Sequence, residues 1–531
     1  MKKIIKNILI IAGALFITLN CTGDFEKMNE NPLAAKEVSP KLILPKMLDY
    51  GFNCRPWEYQ VGDNLHTNLY AQYFANTASY FPSGRYEWKD NWVKDGFWRS
   101  YYVYLSKNLH EVKQMLEKNP QYNNMYQIMR IISAMGAART TDCFGDVPYF
   151  EAGQGIIESK YDSQKDIYYD IFKELTEAAT SLKSNKENQD VYGNQDILFG
   201  GDLTRWIKLA NSLRLRYALR LSFIDAEKAK KEGEAALKET LMTSNADNAG
   251  IKNAEANAGH SLWTISFWNE FRVSKTMIDI MLTQSSVHDP RLPLWFSQTQ
   301  GYVYGKSDIQ YQGVPNGLPA SELTKPQYTA VNNSCVWGLY VYPEWNQKEK
   351  GSVKEGTVPN GTIVKPQIIM NYAEVCFLKA EAALRGWANS GNAKVNYEEG
   401  ILASFAEARQ GVNSTLYSTK NDDEYIHGGN VKWKDTNDFE TKLKQIITQK
   451  WIAIYPNGTE AWTEFRRTGY PLLTPVVQSD LSLIKSGEFI KKFRYIDDER
   501  NLNRYSKQTS LNQGKGDGQN IRVWWDTGRY K

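Results

Sequence analysis

Apolar residues return on a helical period again and again along this chain, and little else in it is regular. Tyr126 to Ala138 sets Ile128, Ile131, Ile132, Met135 and Ala138 on one face. Ile167 to Leu182 does the same with Ile171, Leu175, Ala178, Ala179 and Leu182. Leu203 to Leu221 carries Trp206, Leu209, Ala210, Leu213 and Tyr217, with Arg214, Arg216 and Arg220 elsewhere on the helix. Further periodic stretches are Leu105 to Leu116, Met277 to Leu282, Ile368 to Leu384, Tyr397 to Ala408 and Phe439 to Ile454. In the stretch from Ile368, Ala373, Ala380, Ala382 and Ala383 allow close helix approach. Strand-like alternation is rare. A mainly α fold is therefore expected, with helices paired in an array of the tetratricopeptide kind, although no clean 34-residue consensus repeats.

Two regions break the period. Tyr70 to Tyr104 is dense in Tyr, Trp, Phe and Asn, and about Ser285 to Pro366 is rich in Gly, Pro, Asn and Tyr. Long irregular segments in a folded body usually carry function. No Ser/Gly linker divides the chain, so residues 41–531 are expected to form one body behind a tether at 21–40.

The first 20 residues read as an export signal. Lys2, Lys3 and Lys6 form a positive start, and Ile8 to Leu19 is an apolar run too short for a membrane span, which needs about 20 residues. Cys21 follows at once. A cysteine in that place resembles a bacterial lipobox, although Asn20 stands where Gly, Ala or Ser is usual. The expected product is a mature chain anchored to a lipid bilayer through acylated Cys21, with ordinary secretion as the alternative.

Charge excludes nucleic acid as the main partner. The chain has 64 basic and 60 acidic side chains, and without the three signal lysines the count is 61 against 60. Five cysteines without CxxC spacing exclude a disulfide scaffold and give no metal motif. The five histidines make no HExxH, and no GxSxG occurs, so no catalytic residue, metal or cofactor is expected. What stands out is 16 Trp, 32 Tyr and 20 Phe, residues that offer an apolar face with a polar handle.

Several segments together resemble the SusD/RagB family of outer-membrane nutrient-binding lipoproteins. They are Cys21-Thr-Gly-Asp-Phe-Glu26 running to Asn31-Pro32, Asp142-Cys-Phe-Gly-Asp-Val-Pro-Tyr149, Gly200-Gly-Asp-Leu-Thr-Arg-Trp206, Asp289-Pro-Arg291, Met370-Asn-Tyr-Ala-Glu374 with Ala380-Glu-Ala382, and Gln449-Lys-Trp451 with Glu460-Ala-Trp462 and Arg466-Arg-Thr-Gly469. Phe493-Arg-Tyr495 departs from the family, which tends to have Pro after the Arg-Tyr pair. Most of these motifs read as structural, with Gly145 and Pro148 in a tight turn, Asp202 as a helix N-cap and Arg291 ion-paired in a turn.

The resemblance implies a helical body with tetratricopeptide-like pairs on one side and irregular loops on the other. It implies an outer-membrane, lipid-anchored protein facing the cell exterior. Its job would be to bind oligosaccharides, or peptides in some branches, and deliver them to a SusC-like TonB-dependent barrel without catalysis. An exported glycan-degrading enzyme and an adhesive helical lipoprotein remain alternatives.

Sugar rings stack C–H patches on aromatic faces, while their hydroxyls need amide and carboxylate partners. Two stretches have that composition. The first supplies Tyr80, Arg85, Tyr86, Trp88, Asp90, Asn91 and Trp92 as candidate ligand contacts; the second supplies Trp337, Tyr340, Tyr342 and Trp345. Trp263 and Trp268 are further candidates, whereas Trp98 and Tyr101 are assigned to the core.

Overall fold

A computed structural model describes residues 39–184, 189–251, 260–266, 268–336, 349–352 and 365–530. Cys21, the signal segment and nearly all of the tether lie outside the described residues.

The chain enters through α1 (Pro40–Gly51). Ser39 Oγ accepts from Lys41 N, Pro40 stands where no amide is needed, and Leu44, Met47 and Leu48 turn inward. Next comes a buried π-helical turn, Tyr59–Thr67. The stretch read as non-helical up to Tyr104 is instead helical from Asp90 onward. Short α-turns alternate with π-turns at Lys94–Trp98 and Tyr102–Ser106, and the run continues into α2 (Lys107–Lys118). Each π-turn holds an extra residue, which rotates the buried face and erases the 3.6 period from the sequence. Trp98 and Tyr101 are buried here, as expected.

The array follows. Helix α3 (Asn123–Phe144) is buried nearly all round, as a central helix must be. It stops at Gly145, where φ is +80° and a Cβ would sit 2.1 Å from Asn512 Oδ1, so only glycine fits. Helix α4 (Gln164–Ser184) packs on α3, α5 (Leu203–Arg220) on α4, and α6 (Ala226–Leu237) on α5. Asp202 caps α5, its carboxylate accepting from Thr204 N at 2.8 Å and Arg205 N at 3.3 Å. After α7 (Lys275–Thr283), a second group forms from α8 (Tyr372–Leu384), α9 (Ala393–Arg409), α10 (Phe439–Ala453) and α11 (Gly458–Thr468), with α8 packed on α9, α10 and α5. Consecutive antiparallel pairs of this kind are the expected tetratricopeptide-like layer.

Four short strands make two antiparallel ribbons. Strands β1 (Phe74–Asn76) and β3 (Phe271–Val273) pair with Phe74 opposite Val273; β2 (Ala249–Ile251) pairs with β4 (Gln367–Met370). The apolar run from Ile368 thus begins as strand, and Asn371 starts α8 by accepting from Glu374 N at 2.9 Å.

The helices meet around buried charge. Arg220 reaches Glu464 at 2.8 Å and Glu460 at 2.7 Å, and Arg467 pairs with Glu381 at 2.6 Å and Glu464 at 2.7 Å. Lys450 Nζ lies 3.3 Å from each of Glu374, Glu460 and Glu464. Burial pushes the Glu464 carboxyl up, but Arg467, Lys450 and Arg220 outweigh it and hold it well below the usual range. The cations and carboxylates come from α5, α8, α10 and α11, so this hub locks both helix groups together. Asp289 and Arg291 form a separate, fully buried pair at 2.6 Å.

Candidate ligand platform

The β1–β3 ribbon sets the geometry. Where it ends, Thr77 N and Ala78 N donate to Glu270 O at 2.9 and 3.2 Å, and Thr77 Oγ1 donates to Asn269 O at 2.9 Å. Two loops far apart in sequence are thereby tied together. Asn269 takes a left-handed φ of 59°, which its short polar side chain tolerates. The buried Arg272 clamps the corner, donating to Asn269 Oδ1 at 2.7 Å and to Ala330 O at 3.1 Å, and so adds a third loop.

On this frame Tyr80 is 65 % exposed and Trp268 is 47 % exposed, both large rings left open to solvent. Glu270, two residues after Trp268, is hydrogen-bonded to Tyr80. Its carboxylate accepts from Tyr80 OH at 2.7 Å and from Gln60 Nε2 at 2.8 Å, and the Glu270 bond pushes the Tyr80 phenol up. Aromatic faces beside a fixed carboxylate and the exposed Asn269 amide match what a polyhydroxylated ring needs.

The other candidates divide. Tyr86 is buried, with φ +69° and its ring 5.5 Å from that of Tyr70, and burial pushes its phenol up; it has no face for a ligand. Trp88 donates to Asp90 Oδ1 at 3.1 Å while the Arg494 guanidinium covers its ring at 4.8 Å. Asp90 also accepts from Asp497 N at 2.9 Å. Arg85 is half-buried against Asp480 at 2.6 Å, and Asp480 N donates back to Arg85 O. Trp92 packs edge-on to Phe81 and His66. These residues join the aromatic stretch to the C-terminal segment. Asn91 is exposed and Trp263 is half-buried. Trp337, Tyr340, Tyr342 and Trp345 lie outside the described residues. The chain just before them is fixed beside the ribbon, since Val273 N donates to Ser334 O at 3.2 Å and Val336 bridges Phe296.

Sequence reading passed over Gln60, Glu270 and Arg272. Glu270 stood next to the chosen Trp263–Asn269 stretch; Gln60 gave no signal, because its closeness is tertiary.

Neither buried histidine is poised for acid–base work at neutral pH: burial holds His66 down to about 4 and His260 to about 3. Among the described residues no group of three His, Cys, Asp or Glu side chains is arranged to hold a metal ion, and no helix is long and apolar enough to cross a membrane. Among the described residues Cys54, Cys143, Cys335 and Cys376 form no disulfide.

A helical array under an irregular, aromatic-bearing loop face defines a class, and comparison with known proteins gives it a family. The chain belongs to the SusD-like family, described as Susd and RagB outer membrane lipoprotein, whose model matches residues 21–526. Among solved structures it is similar to a chitin-binding SusD homolog from Flavobacterium johnsoniae, with 26 % identity, TM-score 0.75, and 92 % of this chain and 99 % of that chain covered. A SusD homolog from Parabacteroides distasonis matches with 26 % identity, TM-score 0.76, and 92 % and 98 % covered. A further chitin-binding protein matches with 28 % identity, TM-score 0.74, and 92 % and 100 % covered. No curated protein matches.

Proposed function

We propose that this chain is a lipid-anchored glycan-binding protein of the outer-membrane surface, which captures oligosaccharides on Tyr80 and Trp268 and delivers them to a SusC-like TonB-dependent barrel. The observation that carries the reading is two exposed rings, Tyr80 bonded to Glu270 and Trp268 two residues before it, on a hydrogen-bonded three-loop frame. Two relatives described as chitin-binding support a glycan as the ligand class. The family-like start at Cys21 supports acylation there, with a polar tether over 21–40 ahead of a single body at 41–531. A body held to the membrane only by a lipid needs a partner to aim its ligand at a pore, which is the argument for the barrel.

A glycan array followed by calorimetry tests the reading, with chitooligosaccharides as the first probe. Saturable binding without new reducing ends is expected. New reducing ends would make the protein an enzyme; binding of peptides alone would move it to the peptide-binding reading. Purification in mild detergent should recover a large barrel, and Cys21→Ala should release the chain from membranes.

A further inference from the structure

The second ribbon frames a pocket that shares no residue with the aromatic platform. It lies between the first turn of α5, β2, the start of β4 and the end of α9, and its volume is about 360 Å³. That lies within the range of small-molecule sites, roughly 300–1,000 Å³. Arg205, Asn245, Asn248, Lys365, Glu407 and Gln410 supply its polar lining.

Arg205 is the informative residue. Among the buried arginines, Arg216, Arg220, Arg291 and Arg467 each have a carboxylate, whereas Arg272 and Arg466 donate to backbone and neutral side-chain oxygens. Half-buried Arg205 also has no carboxylate among the described residues. Its guanidinium is nevertheless held in one place, 4.3 Å from the centre of the Phe199 ring and donating through Nη2 to Asn248 O at 3.3 Å. Its buried Nε has no acceptor. A planar fork fixed on an aromatic face and lacking an anion is pre-organised for a carboxylate.

The rest of the lining fits. Lys365 brings a second cation, its Nζ donating to Glu407 O at 3.0 Å. Asn245 Oδ1 is buried without a donor. The Glu407 carboxylate accepts from Asn371 Nδ2 at 2.8 Å, and burial raises it to about 7, whereas burial lowers Lys365 to about 8. Arg205, Lys365 and Glu407 are the charged groups of the lining. With two cations against one carboxylate, the pocket is positive.

We propose that this pocket is a second ligand site, which takes a small hydroxylated carboxylate with its carboxyl group on Arg205 and Lys365 and its hydroxyls on the asparagines. A sugar acid and a short hydroxy acid share that chemistry, and the experiment separates them. Wild-type protein is titrated calorimetrically with glucuronate, lactate and glucose at pH 6.

Glucuronate is expected to bind at one site and glucose, its uncharged counterpart, to give no heat. Lactate binding as tightly as glucuronate would place recognition in the carboxylate alone; weaker binding would assign the hydroxyls their share. Arg205→Met should weaken glucuronate at least tenfold, and Lys365→Met several-fold, so that a folding failure of one variant leaves the other informative. Raising the pH from 6 to 9 should also weaken binding, since Glu407 gains and Lys365 loses charge. Trp268→Ala should change nothing here, which keeps this site apart from the glycan platform. No glucuronate binding, equal binding of glucose, or unchanged affinity in both variants would overturn the proposal.

Discussion

The hub between the helices and the platform on the loops put carboxylates to opposite ends. In the hub, Arg220, Arg467 and Lys450 meet Glu374, Glu381, Glu460 and Glu464 with almost no solvent contact. On the platform, Glu270 is fixed by two neutral donors, and the rings beside it stay open. Buried charges need every partner in place, and the motifs that carried the family resemblance supply most of those partners, Arg220 and Glu464 excepted. Exposed aromatics need only a rigid frame. Family likeness is therefore concentrated where it says least about ligand, and the residues proposed to face ligand lie in stretches without a motif.

The largest expected effect separates the two regions by stability. Arg467→Met strips Glu381 and Glu464 of the buried cation they share, leaving Glu381 only Arg385 and Glu464 only Arg220 and Lys450. Breaking a buried pair costs about 3–5 kcal/mol, enough to shift a urea midpoint strongly or prevent folding. Trp268→Ala should leave the same midpoint within about 0.5 kcal/mol, as a surface change does.

Acid should sharpen the contrast. His66 lies under the aromatic stretch, edge-on to Tyr70, Trp92 and Phe493. Burial holds it at about 4, while an unfolded histidine titrates near about 6.5. The unfolded chain thus binds the extra proton first. Stability contributed by neutral His66 is full above about pH 6.5 and is lost as pH falls toward 4, on the order of 3 kcal/mol. Glu464, held low, keeps its contribution until pH drops below the ordinary carboxylate range near about 4.3. Urea unfolding across pH 4–7 should show a slope that His66→Gln flattens. An unchanged slope would remove His66 from the account.

Smaller still is the cap of α5. Asp202→Ala should cost about 1 kcal/mol, read as a modest fall in thermal midpoint with glycan affinity unchanged.

Much of this fold was legible. The period of Ile128 to Ala138 and of Ile171 to Leu182 marks α3 and α4, because each buries an apolar stripe. Asp202 announced its cap. Other elements were hidden for physical reasons. Helix α11 is Gly-Thr-Glu-Ala-Trp-Thr-Glu-Phe-Arg-Arg-Thr, rich in charge and yet buried throughout, since Glu460, Glu464 and Arg467 are neutralised inside the hub. The π-turns around Phe97 and Leu105 broke the period of a helical run. Ile368 to Met370 is a short apolar run, which periodicity alone cannot assign to strand or helix. Composition marked Tyr80, Trp268, Tyr86 and Trp88 alike, whereas the structure leaves the first two rings open and closes the other two by burial and by Arg494. Exposure is set by what packs on a ring, and local sequence does not record that.

The division between open rings and closed ones is the central claim, and one titration tests it. The oligosaccharide selected on the array is titrated into wild type, Tyr80→Ala, Trp268→Ala and Trp88→Ala, each checked for an intact thermal transition. Stacking on one ring is worth about 1 kcal/mol, so Tyr80→Ala and Trp268→Ala should each weaken binding several-fold while folded Trp88→Ala binds like wild type. Wild-type affinity in both Tyr80→Ala and Trp268→Ala, with loss in Trp88→Ala, would contradict the account.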